Sequence, residues 1–139
     1  MDEIVIALPF PPTVNHYWKF VRNRTNIGVY ISEKGMLYRD EVLFLTINHK
    51  NENKWELARS YFGGERIAVS IAVYPPDKRR RDLDNILKCV LDSMAKAKIY
   101  EDDYQIDNLY VERKEVCKDG KLIVTVRANK EPGIQRHQY

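Results

Sequence analysis

The stretch ERIAVSIAVYPPDKRRRDLDNILKCVLDSMAKAKI, residues 65–99, decides the fold. Its first part, up to Tyr74, is a nearly unbroken apolar run closed by Pro75 and Pro76, which predicts a central strand buried on both faces. In its second part Leu83, Ile86, Leu87, Val90, Leu91 and Met94 fall on one arc at about 100° per residue, so an amphipathic helix follows, with Asp82 at its N-cap. Between the two, four consecutive cations, Lys78 to Arg81, abut the pair Asp82-x-Asp84. Opposite charges packed this tightly at a strand-to-helix junction call for a chemical reason.

Upstream, EIVIALPF reads as a strand stopped by Pro9, Pro11 and Pro12, which cannot donate to a ladder. TVNHYWKFVRNRTNIG is read as a polar and aromatic loop and VYIS as a short strand. Ser32 is a helix N-cap, followed by a loosely helical pattern of Met36, Leu37, Val42, Leu43, Leu45 and Ile47. Residues 48–55, NHKNENKW, are polar enough to end or interrupt that helix, and Gly63 with Gly64 marks a turn. Downstream of the second helix comes an acidic break, YEDD. IDNLYVERKEV and KLIVTVRA then read as two strands joined as a hairpin by CKDGK, whose Asp-Gly pair suits a tight turn. A frayed tail is expected from about residue 129. The predicted order is β-β-α-β-α-β-β, an α+β fold in which two main helices pack on a mixed β-sheet.

With 139 residues, 44% of them hydrophobic, the chain holds one domain, 1–139, with a real core. Its net charge of +3 and pI near 8.8 permit a polyanionic partner without requiring one, so the placement of cations matters more than their sum. Cys89 and Cys117 are too few for a disulfide framework, and no secretory leader precedes the first strand; a reducing cytoplasm is the expected location. No apolar run approaches the roughly 18 to 20 residues that span a bilayer, so no membrane partner is expected.

Asp82 and Asp84 can converge on one point only if they straddle the helix start, because residues two apart on a helix point about 200° away from each other. Straddling it, with Asp84 partly shielded at the rim of the apolar arc, they suit a hard cation such as Mg²⁺, which takes oxygen donors. The same residues also read as ordinary first-turn capping, with Asp84 and Lys88 as an i,i+4 helix pair. An EF-hand loop is excluded, because Leu87 stands where its glycine belongs and Ser93 where its glutamate belongs. Glu101, Asp102 and Asp103 form a second acidic group. A helix of about 16 residues is roughly 24 Å long, so this group joins the first only if its segment folds back along the sheet; otherwise it is a solvated turn. The cationic run would hold a DNA backbone and Lys88 would stabilise charge developing on a phosphate; alternatively the run is a solvated loop that neutralises the neighbouring aspartates.

Taken together, PDKRRRDLDNILKCVLDSMAKAKIYEDDYQI resembles the core motif of the RusA family of Holliday junction resolvases, and LPFPPTVNHYW resembles its N-terminal motif. The resemblance covers most of the chain. It implies a homodimeric endodeoxyribonuclease, dependent on Mg²⁺ or Mn²⁺, that nicks four-way DNA junctions in pairs during recombination and repair. Carried over by motif position, it makes Asp82, Asp84 and Asp103 the metal-binding catalytic carboxylates and Lys88 the catalytic lysine. Arg80 and Arg81, beside Lys78 and Arg79, become DNA-binding, as do Asn15 and Tyr17. Tyr17, Trp18 and Phe20, interleaved with Lys19, Arg22 and Arg24, are candidates for stacking on unpaired bases, or else cap the core. The chain departs from the family at Lys98, where glycine is frequent. Two other functions remain open from the residues: a DNA-binding module without catalysis, and a nuclease for other branched DNA.

Overall fold

The computed structural model describes residues 1–22 and 27–130. Strand β1 (Glu3–Leu8) alternates exposed and buried positions, pointing Ile4, Ile6 and Leu8 into the core. The segment read as a loop is more ordered than its polarity suggests. A single turn, α1 (Val14–Tyr17), leads into β2 (Trp18–Arg22), which pairs antiparallel with β3 (Ile27–Ile31) in a small sheet of its own. Alternating aromatic and β-branched residues in WKFVR and VYI outweigh the polar residues around them. Arg24 and residues 131–139 of the expected tail lie outside the described residues.

Helix α2 (Glu33–Glu52) begins as anticipated at Ser32, whose hydroxyl oxygen accepts from the Gly35 N–H at 3.0 Å. It continues through the polar residues that were expected to end it, because Lys50 turns inward and donates to the Leu57 carbonyl at 3.0 Å. Gly35 lets its first turn approach α1: a Cβ there would lie 2.9 Å from the Tyr17 carbonyl oxygen.

β4 (Ile67–Tyr74) lies inside a four-stranded sheet of order β1-β6-β4-β5. Its run Ile67, Val69, Ile71 and Val73 is fully buried. The other face is covered only in part, since Ser70, Ala72 and Tyr74 are half-buried, so burial on both faces was an overestimate. Helix α3 (Asp84–Lys96) buries Ile86, Cys89, Val90, Ser93 and Met94. Leu87 and Leu91 stay half-buried, so the buried stripe is rotated toward Cys89 and Ser93, where α1 and α2 pack. At its C-terminus the Ile99 N–H bonds to the Met94 carbonyl and the Lys98 N–H to the Ala95 carbonyl, closing a Schellman motif with Lys98 at φ +63°. That left-handed position explains why glycine suits it.

A 3-10 turn (Asp103–Gln105) then leads to β5 (Ile106–Arg113) and, after a tight turn, β6 (Lys121–Ala128). These two strands do not form the expected hairpin. β5 pairs parallel with β4 on one side, and β6 pairs antiparallel with β4 on the other. Asp119 and Gly120 do take the positive φ that their sequence predicts. However, the Lys114 N–H bonds to the Val73 carbonyl at 2.7 Å and the Cys117 N–H to the Pro75 carbonyl at 2.9 Å, so the connection wraps over the end of β4. The physical reason is burial: Leu122, Val124 and Val126 are fully buried in β6, a position that a hairpin at the sheet edge would not give them.

Candidate active site

The wrap of chain over the end of β4 sets the cationic loop beside the start of α3. Asp77 organises that loop. Its Oδ1 accepts from the Arg79 backbone N–H at 3.0 Å and from Arg81 Nη1 at 2.6 Å, while Oδ2 accepts from Arg79 Nε at 3.1 Å. The Arg81 hydrogen bond above all, and then the Arg79 backbone N–H, hold the Asp77 carboxyl far below the usual carboxylate range. Arg81 is thereby committed: its guanidinium also lies 5.5 Å from the centre of the Phe10 ring and is only 19% exposed. Arg113, from the end of β5, donates to the Arg81 carbonyl. Lys78, Arg79 and Arg80 remain exposed, so the predicted cationic run divides into one structural arginine and three cations that face solvent.

The acidic pair does straddle the helix start, although Leu83 and not Asp82 holds the N-cap position. The first turn closes through backbone, with the Asn85 N–H bonding to the Asp82 carbonyl at 3.2 Å. Neither Asp82 nor Asp84 has a side-chain hydrogen bond or ion pair with any described residue, so capping does not account for them. The expected shielding of Asp84 is not found; both carboxylates are exposed, as is Lys88. Lys88 forms no salt bridge within the described chain either, and the i,i+4 pair with Asp84 is therefore not made.

The second acidic group is pinned against residues 63–65 and, among the described residues, is not gathered with Asp82 and Asp84 into a group that could hold a metal ion. Gln105 is buried and spends both ends of its amide on the task. Its Oε1 accepts from the Glu101 and Asp102 N–H groups at 2.8 and 2.9 Å, and its Nε2 donates to the Gly63 and Glu65 carbonyls at 2.8 and 2.7 Å. The Asp102 side chain caps the 3-10 turn through the Tyr104 N–H. Asp103 is set beside α3, where burial above all, and then the neighbouring Asp102 carboxyl, push its own carboxyl up while the Lys88 charge pulls it down. Lys88 lies about 6 Å along the helix axis from Asp84. Asp103 is thus brought to the side of the helix that carries Lys88. Among the described residues no group of three or more histidine, cysteine or acidic side chains is close enough to hold a metal ion.

Beneath this surface lies a constellation that sequence reasoning missed. Tyr17 donates its hydroxyl proton to Asp92 Oδ2, Arg39 Nη2 donates to the same oxygen, and Arg39 Nε donates to the Tyr17 hydroxyl at 2.9 Å. Burial pushes the Asp92 carboxyl up, but these hydrogen bonds and the Arg39 charge hold it below its ordinary value. Tyr17 has no exposed surface, so it does not stack on DNA bases from this position; the exposed aromatic of that segment is Phe20. Asn15 is exposed on α1, and Thr13 shares a recess with Arg80, Asp82 and Asn85. Arg39 and Asp92 are 53 residues apart, and no local signal links them. Asp77 could have been found: an Asp two residues before an exposed Arg is the pattern of an Asx-turn. Cys89 is buried with its thiol pushed up to about 12 by burial, which marks it as inert core.

Comparison with known proteins places the chain in a family. The family model described as Endodeoxyribonuclease RusA matches residues 9–127. The chain is similar to a protein of Enterobacteria phage HK97 named crossover junction endodeoxyribonuclease rusA, 36% identical over 126 residues covering 91% of this chain and 95% of that one. Proteins of the same name from Shigella sonnei (strain Ss046) and Escherichia coli (strain K12) are 33% and 32% identical over the same shares.

Proposed function

Because the chain belongs to the RusA family of endodeoxyribonucleases, we propose that it resolves Holliday junctions, cutting four-way DNA by paired phosphodiester hydrolysis in recombination and repair. The observation that carries the reading is the contrast at one helix start: Asp82, Asp84 and Lys88 have no ion-pair partner, although three exposed cations lie within ten residues of them. Asp77 instead absorbs Arg79 and Arg81, which keeps the catalytic carboxylates free for another cation.

Mg²⁺, or Mn²⁺, fits the chemistry of this donor set, which consists of hard oxygen ligands only. Mg²⁺ commonly takes one or two protein carboxylates and fills the rest of its shell with water and phosphate oxygens, which accords with a chain that gathers no closed group of three acids. Asp82 and Asp84, on either side of the helix start, would hold it; Asp103 is the third carboxylate by resemblance alone and is not gathered with them among the described residues. When bound it supplies an activated water and neutralises charge on the phosphate being attacked. The chain's own groups do the remainder. Lys88 stabilises charge on the phosphate oxygens, and Lys78, Arg79 and Arg80, with Asn15, hold the backbone, while Arg81 braces the loop that carries them. Paired nicks in a twofold-symmetric junction call for two sites, so the active species is a homodimer working in the cytoplasm of a bacterium or phage-infected cell. No helix of the described residues is long and apolar enough to cross a membrane.

The test is cleavage of a synthetic four-way junction by purified protein, with and without Mg²⁺, beside Asp82→Asn. Metal-dependent paired nicks, lost in the variant while junction binding persists, are expected. Cleavage unchanged by the substitution refutes the assignment, and binding without any cleavage leaves a junction-binding module. Flap and duplex DNA at equal salt separate junction specificity from a broader nuclease, and sedimentation reports the dimer.

A further inference from the structure

Between the cationic loop and the segment that wraps over β4 is a cavity of about 300 Å³ whose apolar floor has no part in the nuclease reading, although that reading draws on residues of its rim. Its floor is apolar: Phe10, Val73, Leu83 and Ile86, with Val116 at the mouth. Val73 and Ile86 are fully buried, so the floor belongs to the core and is rigid, whereas Val116 is 44% exposed. The rim is of opposite character. Lys78, Arg79, Arg81, Arg113 and Lys114 line it, and these five cations face the carboxylates of Asp77, Asp82 and Glu115. Arg79 and Arg81 pair with Asp77 and Lys114 pairs with Glu112 at 3.1 Å, which fixes their positions and still leaves the rim with an excess of positive charge.

We infer that this cavity receives an unpaired nucleobase extruded from the DNA next to the scissile phosphate. An apolar floor with a cationic rim is complementary to one kind of ligand in particular, a flat apolar ring carried between two phosphates. Because Asp82 lines the same cavity, a base seated there puts its neighbouring phosphate at the proposed catalytic carboxylate. Extrusion costs a few kcal/mol of stacking in a continuous duplex and less where strands exchange, so the cavity favours a crossover over plain duplex. The inference rests on the junction-nuclease reading for its substrate, but it assigns a separate element, one that selects the position of the cut.

The test uses four-way junctions carrying 2-aminopurine in turn at each nucleotide flanking the crossover, mixed with the full chain in EDTA so that no cleavage occurs. The expected result is a several-fold rise in fluorescence at one position on each of two symmetry-related strands. Val116→Trp, which fills the mouth from an exposed position, should abolish that rise, leave junction affinity within about threefold, and slow Mg²⁺-dependent cleavage at least tenfold. A second measurement needs no variant: an abasic site at the brightening position should slow cleavage by the wild-type protein at least tenfold. The inference is overturned if no position brightens, if Val116→Trp brightens like the wild type, or if the abasic junction is cut at the normal rate. Wild-type protein that cuts junctions without brightening any base sinks the cavity's role and leaves the nuclease. Brightening without cleavage in Mg²⁺ does the reverse.

Discussion

Two charged regions of this molecule, one at the start of α3 and one about two helical turns further along it, behave in opposite ways. At Asp92, acid and base are half-buried and consume each other: Arg39 and Tyr17 both donate to one carboxylate oxygen. At Asp82, Asp84 and Lys88 the same residue types are exposed and form no salt bridge with a described residue, although the Lys88 charge is felt at Asp92 and Asp103. Burial explains the first, because a carboxylate removed from water is tolerable only when paired. The second has no such compulsion, and unpaired charge of both signs at one helix start is what a ligand bearing a cation and a phosphate would need.

That contrast can be broken by experiment, beginning where the largest effect is expected. Asp84→Asn should lower single-turnover junction cleavage by about three orders of magnitude, with metal-free junction affinity changed by no more than a few-fold. A matching loss of affinity would make Asp84 part of the binding surface instead. Lys88→Met should cost about 10²-fold in kcat, the scale of one lost transition-state donor, with little change in affinity. An equal loss in binding would demote it to a phosphate anchor.

On the scaffold side, Arg39→Met strands the Asp92 charge and should lower stability by about 2 kcal/mol in urea denaturation, a figure moderated because both side chains keep some contact with water. Arg39→Met combined with Asp92→Asn should recover part of that loss, since no charge is then left unpaired. The pH dependence follows from the same pair. Asp92 has a folded-state pKa below its unfolded value, so its contribution is present above the ordinary value of 3.8 and is lost as pH falls through the depressed one. Urea titrations from pH 5 to pH 3 should therefore show a fall in stability that is smaller in Asp92→Asn. Asp103 carries the opposite sign: its raised pKa means the charged form is disfavoured in the fold. At neutral pH Asp103→Asn should raise stability while lowering cleavage, the signature of a group kept for function. The smallest effect belongs to Lys98→Gly, which relieves a left-handed φ of +63° and should add about 1 kcal/mol, less a few tenths for the exposed Glu101 contact.

Much of this was legible in the chain because the signals were local. The period of α3, the Ser32 cap and the apolar run of β4 each depend on neighbours within a few residues, and each appears where it was read. The Asp-Gly turn was also read correctly as a turn and wrongly as a hairpin. Turn chemistry specifies φ at Asp119 and Gly120, but not which strand lies between the two that it joins. Tyr17 shows the same limit at the site. Its place in an aromatic, cationic segment suggested DNA, and only contacts with residues 22 and 75 positions away reveal a buried brace.

The order of residues alone determined that a strand, a cationic loop, an acid pair and a helix follow one another, since these rest on periodicity and on backbone geometry at prolines and caps. Tertiary structure decided which charges are spent. Whether a carboxylate meets an arginine, a neighbouring acid or only solvent depends on how distant elements cross. That crossing is fixed by burying the apolar faces of β4, β6 and α3 together, not by the charges themselves.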